Sequence, residues 1–225
     1  MEQRSSDKYT IAWFKLAQCI VSGQKERALG IYRLLAHSLN DKALVHQLEG
    51  DIFLSFHDNE PAAAAYLHAA KTYQQDNRLF EAALIFDHLT VLQPQLMGHG
   101  QKAIEIYTKL NKPDTAHQRL NALCAELIAK QEWEQCLQLI GSLPKELDDL
   151  GNTFLTKLIL LLAEQPSSAS LEKTMKKGID QTLEKLNNPV HEVQLQEFLQ
   201  ELAAKEPIWH EYAQAQLAKS KQNVI

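Results

Sequence analysis

The chain has 225 residues, of which 45% are hydrophobic, and a formal net charge of −5. That is too apolar for a disordered segment, and it provides no basic field of the kind that holds nucleic acid. Glycine (8) and proline (7) are scarce, while Ala, Leu, Gln, Glu and Lys dominate, so helices are favoured and sheets disfavoured.

The N-terminal stretch Met1 to Lys8 is polar, and no apolar signal core follows it. The three cysteines, Cys19, Cys124 and Cys136, are too few for a disulfide framework and fit a reducing compartment. The most apolar run, Phe154 to Ala163, contains Lys157 and is too short to span a bilayer. The expectation is a cytoplasmic chain without membrane insertion.

From about Tyr9 to Val21 the pattern predicts an N-terminal capping helix. Breaks then fall at Ser22-Gly23-Gln24, Asn40-Asp41-Lys42, His57 to Pro61, Gln75-Asp76-Asn77, Gln93 to Gly100, Asn111-Lys112-Pro113, Lys130-Gln131-Glu132 and Ser142-Leu143-Pro144. Between them, apolar residues recur at helical spacing, as in Leu120, Leu123, Cys124, Leu127 and Ile128. Pro61 and Pro113 stand where a first helical turn tolerates proline. A four-helix bundle would need fewer and longer helices.

The segments also repeat. From Ala63, the residues Tyr66, Ala69, Ala70 and Tyr73 are followed by Ala82, Phe86 and Leu89, then Pro94. One period earlier stand Tyr32, Leu35, Ala36, Leu39, Leu48 and Ile52. One period later stand Ala103, Ile104, Tyr107, Ala116, Leu120 and Leu123. Large and small residues alternate in this way where two helices cross closely and must interdigitate. At these residues the chain resembles the tetratricopeptide family, whose repeat is about 34 residues, over residues 29 to 130. A second window, from Ala43, also fits through Gly50, Phe53, Ala62, Tyr66 and Ala69, because a helix packed on both neighbours can imitate either role. The first is preferred because Pro94 and its longer connection then fall between repeats. The segment Ala103 to Thr108, with the Ala-rich helix Tyr66 to Tyr73, is also similar to the attachment-protein adaptors that recruit the SNARE-disassembling ATPase, which are helical repeats as well.

The resemblance implies an all-α fold, an α-α superhelix built as a tetratricopeptide-like solenoid of antiparallel helix pairs, with a C-terminal helical extension. Beyond Lys130 the signature weakens. Trp133 to Ile140 and Leu147 to Leu162 still predict a helix pair, the second with a stripe of Leu147, Leu150, Phe154, Leu158 and Leu161. Linker chemistry then interrupts at Glu164 to Ser170. The expected division is a repeat domain over 1–163 and an extension over 164–225. Three helices are predicted in the extension (Leu171–Leu186, Val190–Ala203 and Ile208–Leu217), acting either as a cap or as a separate bundle.

No catalytic residue, metal ligand set or cofactor motif is predicted. Nine histidines are present, but none stands in an HExxH or CxxC-plus-His arrangement. There is no phosphate loop and no nucleophile elbow. Glu146, Asp148 and Asp149 sit at a helix start, where carboxylates suit the dipole. Cys124 and Cys136 occupy the two small crossing positions of a further window.

What the resemblance implies for function lies in the groove lined by the first helix of each pair. In the preferred register that row contains Arg33 and His37, then Leu67, His68, Lys71 and Gln74, then Gln101, Lys102, Glu105 and Thr108. Family members that hold the C-terminal carboxylate of chaperones use a Lys/Asn/Asn/Lys/Arg clamp. Here Arg33 and Lys102 stand for the first and last members, His37 and His68 for the asparagines, and Gly98 for the middle lysine. The expectation is a non-catalytic adaptor that takes a peptide or protein partner at Arg33, His37, His68, Lys71, Gln74, Gln101 and Lys102. The alternative is a structural subunit of a larger assembly.

Overall fold

The computed structural model describes residues 2–166 and 168–222, and every regular element among them is helical. Twelve α-helices follow one another: α1 (Glu2–Val21), α2 (Lys25–Ala36), α3 (Lys42–Ser55), α4 (Asn59–Gln75), α5 (Leu79–Leu92), α6 (Met97–Lys109), α7 (Pro113–Ala129), α8 (Trp133–Gly141), α9 (Asp148–Ala163), α10 (Ala169–Leu186), α11 (Glu192–Lys205) and α12 (Pro207–Gln222). Short 3-10 turns at Lys145–Leu147 and Pro189–His191 precede α9 and α11. From α1 to α6 and again from α8 to α12 successive helices pack on each other, and none of the described helices is long and apolar enough to cross a membrane.

One turn recurs through the first two thirds of the chain. Gly23, His57, Asn77, Asn111 and Gln131 are the described residues with a left-handed backbone, at φ between 55° and 70°. At each, the N–H donates to the carbonyl three residues back. The following N–H (Gln24, Asp58, Arg78, Lys112 and Glu132) donates to the carbonyl of Cys19, Phe53, Tyr73, Tyr107 or Leu127, at 2.8–3.0 Å. These bonds satisfy the last carbonyls of one helix, as in a Schellman cap. The next helix starts at once, because the carbonyls of Gln24, Asp58, Arg78, Lys112 and Glu132 accept from Ala28, Ala62, Ala82, Ala116 and Cys136.

So abrupt a reversal brings two helices close, and only small residues fit at the crossing. Ala28, Ala62, Ala82, Ala116 and Cys136, five positions past the left-handed residue, are all fully buried. Seven positions before it stand Leu16, Gly50, Ala70, Ile104 and Cys124, and nine after it Tyr32, Tyr66, Phe86, Leu120 and Ile140, all buried. At Gly50 the crossing is so close that a Cβ would lie 2.8 Å from the Tyr66 ring.

The turn explains why two windows fit the sequence. Intervals of 34 residues separate Gly23 from His57 and Asn77 from Asn111, but only 20 separate His57 from Asn77 and Asn111 from Gln131. Helices α4 and α7 each end one such turn and begin the next. The windows from Ala43, Ala63 and Met97 therefore all straddle the same geometry. The window from Leu29 does not. There α2 and α3 are joined through His37 to Asp41, where the Asp41 carboxylate caps α3 by accepting from the Leu44 N–H at 2.9 Å. The pair α5 and α6 is likewise joined by Gln93 to Leu96, without a left-handed residue.

Packing divides the chain into two compact units, Met1–Arg119 and Leu120–Ile225, with the division inside α7. The linker at 164–170 joins helices within the second unit, since α10 and α11 both pack on α9. The predicted helices of the C-terminal stretch are present as α10, α11 and α12. The buried face of α9 follows the predicted stripe only at Leu158 and at Leu147 just before the helix. Gly151, Leu155, Leu158, Ile159 and Leu162 are buried, while Leu150, Phe154 and Leu161 are half-buried. Gly178 on α10 gives Ile159 its place in the interface, since a Cβ there would fall 2.1 Å from the Ile159 Cδ1.

Two substitutions test this account in urea unfolding. Gly50→Ala should cost about 1–3 kcal/mol through overpacking against Tyr66. Gln131→Gly should raise stability by about 1 kcal/mol by relieving a left-handed backbone at a side-chain-bearing residue. Unchanged midpoints for both would contradict the account.

Candidate functional site

The first unit ties its helices together by buried tyrosine rings whose hydroxyls reach polar groups on a neighbouring helix. Tyr32 donates to the Val45 carbonyl at 2.7 Å, Tyr66 to Asp51 Oδ1 at 2.6 Å, Tyr73 to Gln47 Oε1 at 2.7 Å and Tyr107 to Asp87 Oδ2 at 2.8 Å. Arg119 adds a 2.7 Å ion pair to the same Asp87 oxygen. Burial, and secondarily Glu49, pushes the Tyr32 hydroxyl up to about 12. Burial with Asp87 does the same to Tyr107, to about 12, and burial with Asp51 raises Tyr66 as well. These hydroxyls stay protonated at neutral pH and serve as donors that fix helix register.

Asp41, Arg78 and Glu81 form a second cluster. Arg78 Nη1 lies 2.5 Å from Asp41 and its Nε 3.0 Å from Glu81, with the guanidinium 4.4 Å from the centroid of the Tyr73 ring. The Leu44 N–H holds the Asp41 carboxyl below its usual range, with Arg78 adding to the effect. His88 meets Tyr66 edge-on, with centroids 4.7 Å apart, and its buried Nε2 has no hydrogen-bond partner among the described residues. No group of three or more potential metal ligands occurs among the described residues. The thiols of Cys124 and Cys136 are buried and free. The hydrogen bond to Cys136 and burial together hold Cys124 protonated, which suits packing and not nucleophilic attack.

The seven residues expected at the groove are distributed over three helices. Arg33 is exposed on α2 and His37 just after it. His68 and Lys71 are exposed on α4, with Gln74 half-buried there. Lys102 is exposed on α6 beside the half-buried Gln101. Arg33, His37, His68, Lys71 and Lys102 form no hydrogen bond or ion pair with one another. Lys102 instead pairs with Glu105 at 2.6 Å, and the His68 ring lies 5.6 Å from that of His46 on α3. Helices α4 and α6 each run into a left-handed turn, whereas α2 does not, so Arg33 and His37 are not the positional equivalents of Lys71 and Lys102. The α3 residues Gln47 and Asp51 are absent from the expected row. Equal weight on the window from Ala43, which makes α3 a first helix, would have found them.

No family model matches the chain, and no curated protein matches its sequence.

The cap at Asp41 gives a signed pH test. Its folded pKa is lowered, so its stabilisation is present above the unfolded value of about 3.8 and is lost as pH falls through the folded one. Asp41→Ala should cost about 1 kcal/mol at pH near 7. The gap between variant and wild type in urea should close below pH about 4. A gap that stays constant through the acid range would rule out the ionised cap as its source.

Proposed function

We propose that the chain is a tetratricopeptide-like, non-catalytic adaptor that holds a peptide or protein partner. The supporting observation is the recurrent turn, with its buried small residue five positions on and its buried large residue nine positions on. Such units bury one face against the next and leave the other for recognition. The partner-binding surface in this reading carries Arg33 and His37 of α2, His68, Lys71 and Gln74 of α4, and Gln101 and Lys102 of α6. Arg33 and Lys71 have no acidic partner among the described residues and present exposed positive charge in an acidic chain. An acidic or carboxylate-ended protein segment matches them, since charge-assisted hydrogen bonds to carboxylates are the strong ones. The proposal extends to a cytoplasmic location and to neither nucleic-acid binding nor catalysis.

A second reading, a permanent subunit of a larger assembly, is favoured by α1. There Ile11, Phe14 and Val21 are 55%, 72% and 90% exposed and share one side of the helix at its spacing.

The test begins by cross-linking and purifying the intact protein from its native cell and identifying the attached chain. Affinity is then measured against Arg33→Ala/Lys71→Ala/Lys102→Ala at low and high salt. Partly screened contacts are worth about 0.2–1 kcal/mol each, so the triple variant should bind at least about threefold more weakly, with a flatter salt dependence. A folded variant with unchanged affinity and salt response would refute the groove. Loss of the complex on Phe14→Ser instead would favour the subunit reading.

A further inference from the structure

The second unit contains a cleft that none of these contacts uses. It lies between α10 and α12 and is closed by the last turn of α9, with a volume of about 540 Å³, within the roughly 300–1,000 Å³ typical of small-ligand sites. Its base is Met175 of α10, which is 1% exposed, and its far wall is Trp209 and Tyr212 of α12. That wall is preformed. The Tyr212 hydroxyl lies 3.1 and 3.2 Å from the two carboxylate oxygens of Asp180, which fixes the ring. The Trp209 ring stands at 81° to it, with centroids 6.1 Å apart. A molecule in the cleft therefore meets two aromatic surfaces at nearly right angles.

Packing alone does not account for this arrangement. Among the described residues of α12, only Ala213 is fully buried. The helix docks through its smallest apolar residue and leaves Ile208, at 72% exposure, and the half-buried Trp209 on the cleft. A helix placed only to cover a core would turn its tryptophan inward, where burial gains most. The rim supplies charge as well. Glu172 and Glu206 border the opening against the single cation Lys176. Aromatic faces attract cations through the negative side of the ring quadrupole, and the carboxylates have the same preference.

We propose that this cleft binds a small organic cation, an ammonium carried on an aromatic or branched aliphatic body. The body lies on Met175 between Trp209 and Tyr212, and the charged head sits toward Glu172 and Glu206. An anion of the same shape meets two carboxylates and the electron-rich ring faces, and a neutral analogue keeps only the apolar contact.

The experiment titrates the full chain with benzyltrimethylammonium, benzyl alcohol and phenylacetate, reading the indole N–H signal of Trp209 by NMR after assignment with Trp209→Phe. The ammonium should shift that signal saturably, the alcohol more weakly, and phenylacetate not at all. Glu172→Gln/Glu206→Gln should weaken the ammonium by about two- to fivefold per carboxylate, as expected for partly exposed charges, and leave the alcohol unchanged. Lys176→Gln should tighten the ammonium, and it decides the matter if the double variant fails to fold. No movement of the Trp209 signal with the ammonium, an equal response to all three probes, or indifference of the ammonium to these charge changes would overturn the proposal.

Discussion

The first two thirds of the chain depend on how a helix is ended. A left-handed residue lets the next N–H fold back on the carbonyl five positions earlier, and the following helix then begins without a spacer. This geometry forces the two helices together, and the requirement for alanine, glycine or cysteine at the crossing follows from it. The large residues Tyr32, Tyr66 and Phe86 then fill the space beside each crossing, and their burial stabilises the pair. The tyrosine hydroxyls are a consequence as well. A ring buried against a close crossing still has to satisfy its polar end, and Tyr66 and Tyr107 reach carboxylates on the preceding helix to do so.

Much of this was legible in the residues. Asn77 and Asn111 are side chains that tolerate a left-handed backbone, and Gly23 adopts it without strain, so the breaks there were marked by their chemistry. His57 and Gln131 carry no such mark, and their breaks were found from polar neighbours and helix spacing. The small-then-large order was legible because it repeats. The choice between the windows from Ala43 and Ala63 was not, because α4 and α7 each serve two turns and so carry the residues of both roles.

The second unit shows the limit more sharply. The apolar face of α9 is read from its own sequence as a stripe through Phe154, but its burial is set by what packs on it from α8, α10 and α11, where Gly178 makes room for Ile159. No periodicity within α9 carries that information. The wall of Trp209 and Tyr212 depends in the same way on α12 docking through Ala213. The charges expected at the groove were readable as charges. Their equivalence was not, because it required α2 to play the part of α4 and α6, and α2 enters α3 through an Asp41 cap instead of a left-handed turn. The Ser- and Pro-containing stretch at 164–170 was readable as a linker, yet whether a linker separates units depends on what packs across it.

The double duty of α4 and α7 sets how this chain can be lengthened or shortened. Turns of the same kind recur at Gly23, Asn77 and Gln131, and again at His57 and Asn111, so the interval that restores the whole pattern is 54 residues and contains three helices. Removing the 34 residues from Ala63 to Leu96 would run the first turn of α4 into α6 and put Gly100 nine positions past His57, where Tyr66 now fills the crossing. A duplication or excision of 54 residues keeps every small residue opposite its large one. A natural module for gene fusion or repeat engineering in this protein is therefore a helical triplet, because it restores the long and the short interval together.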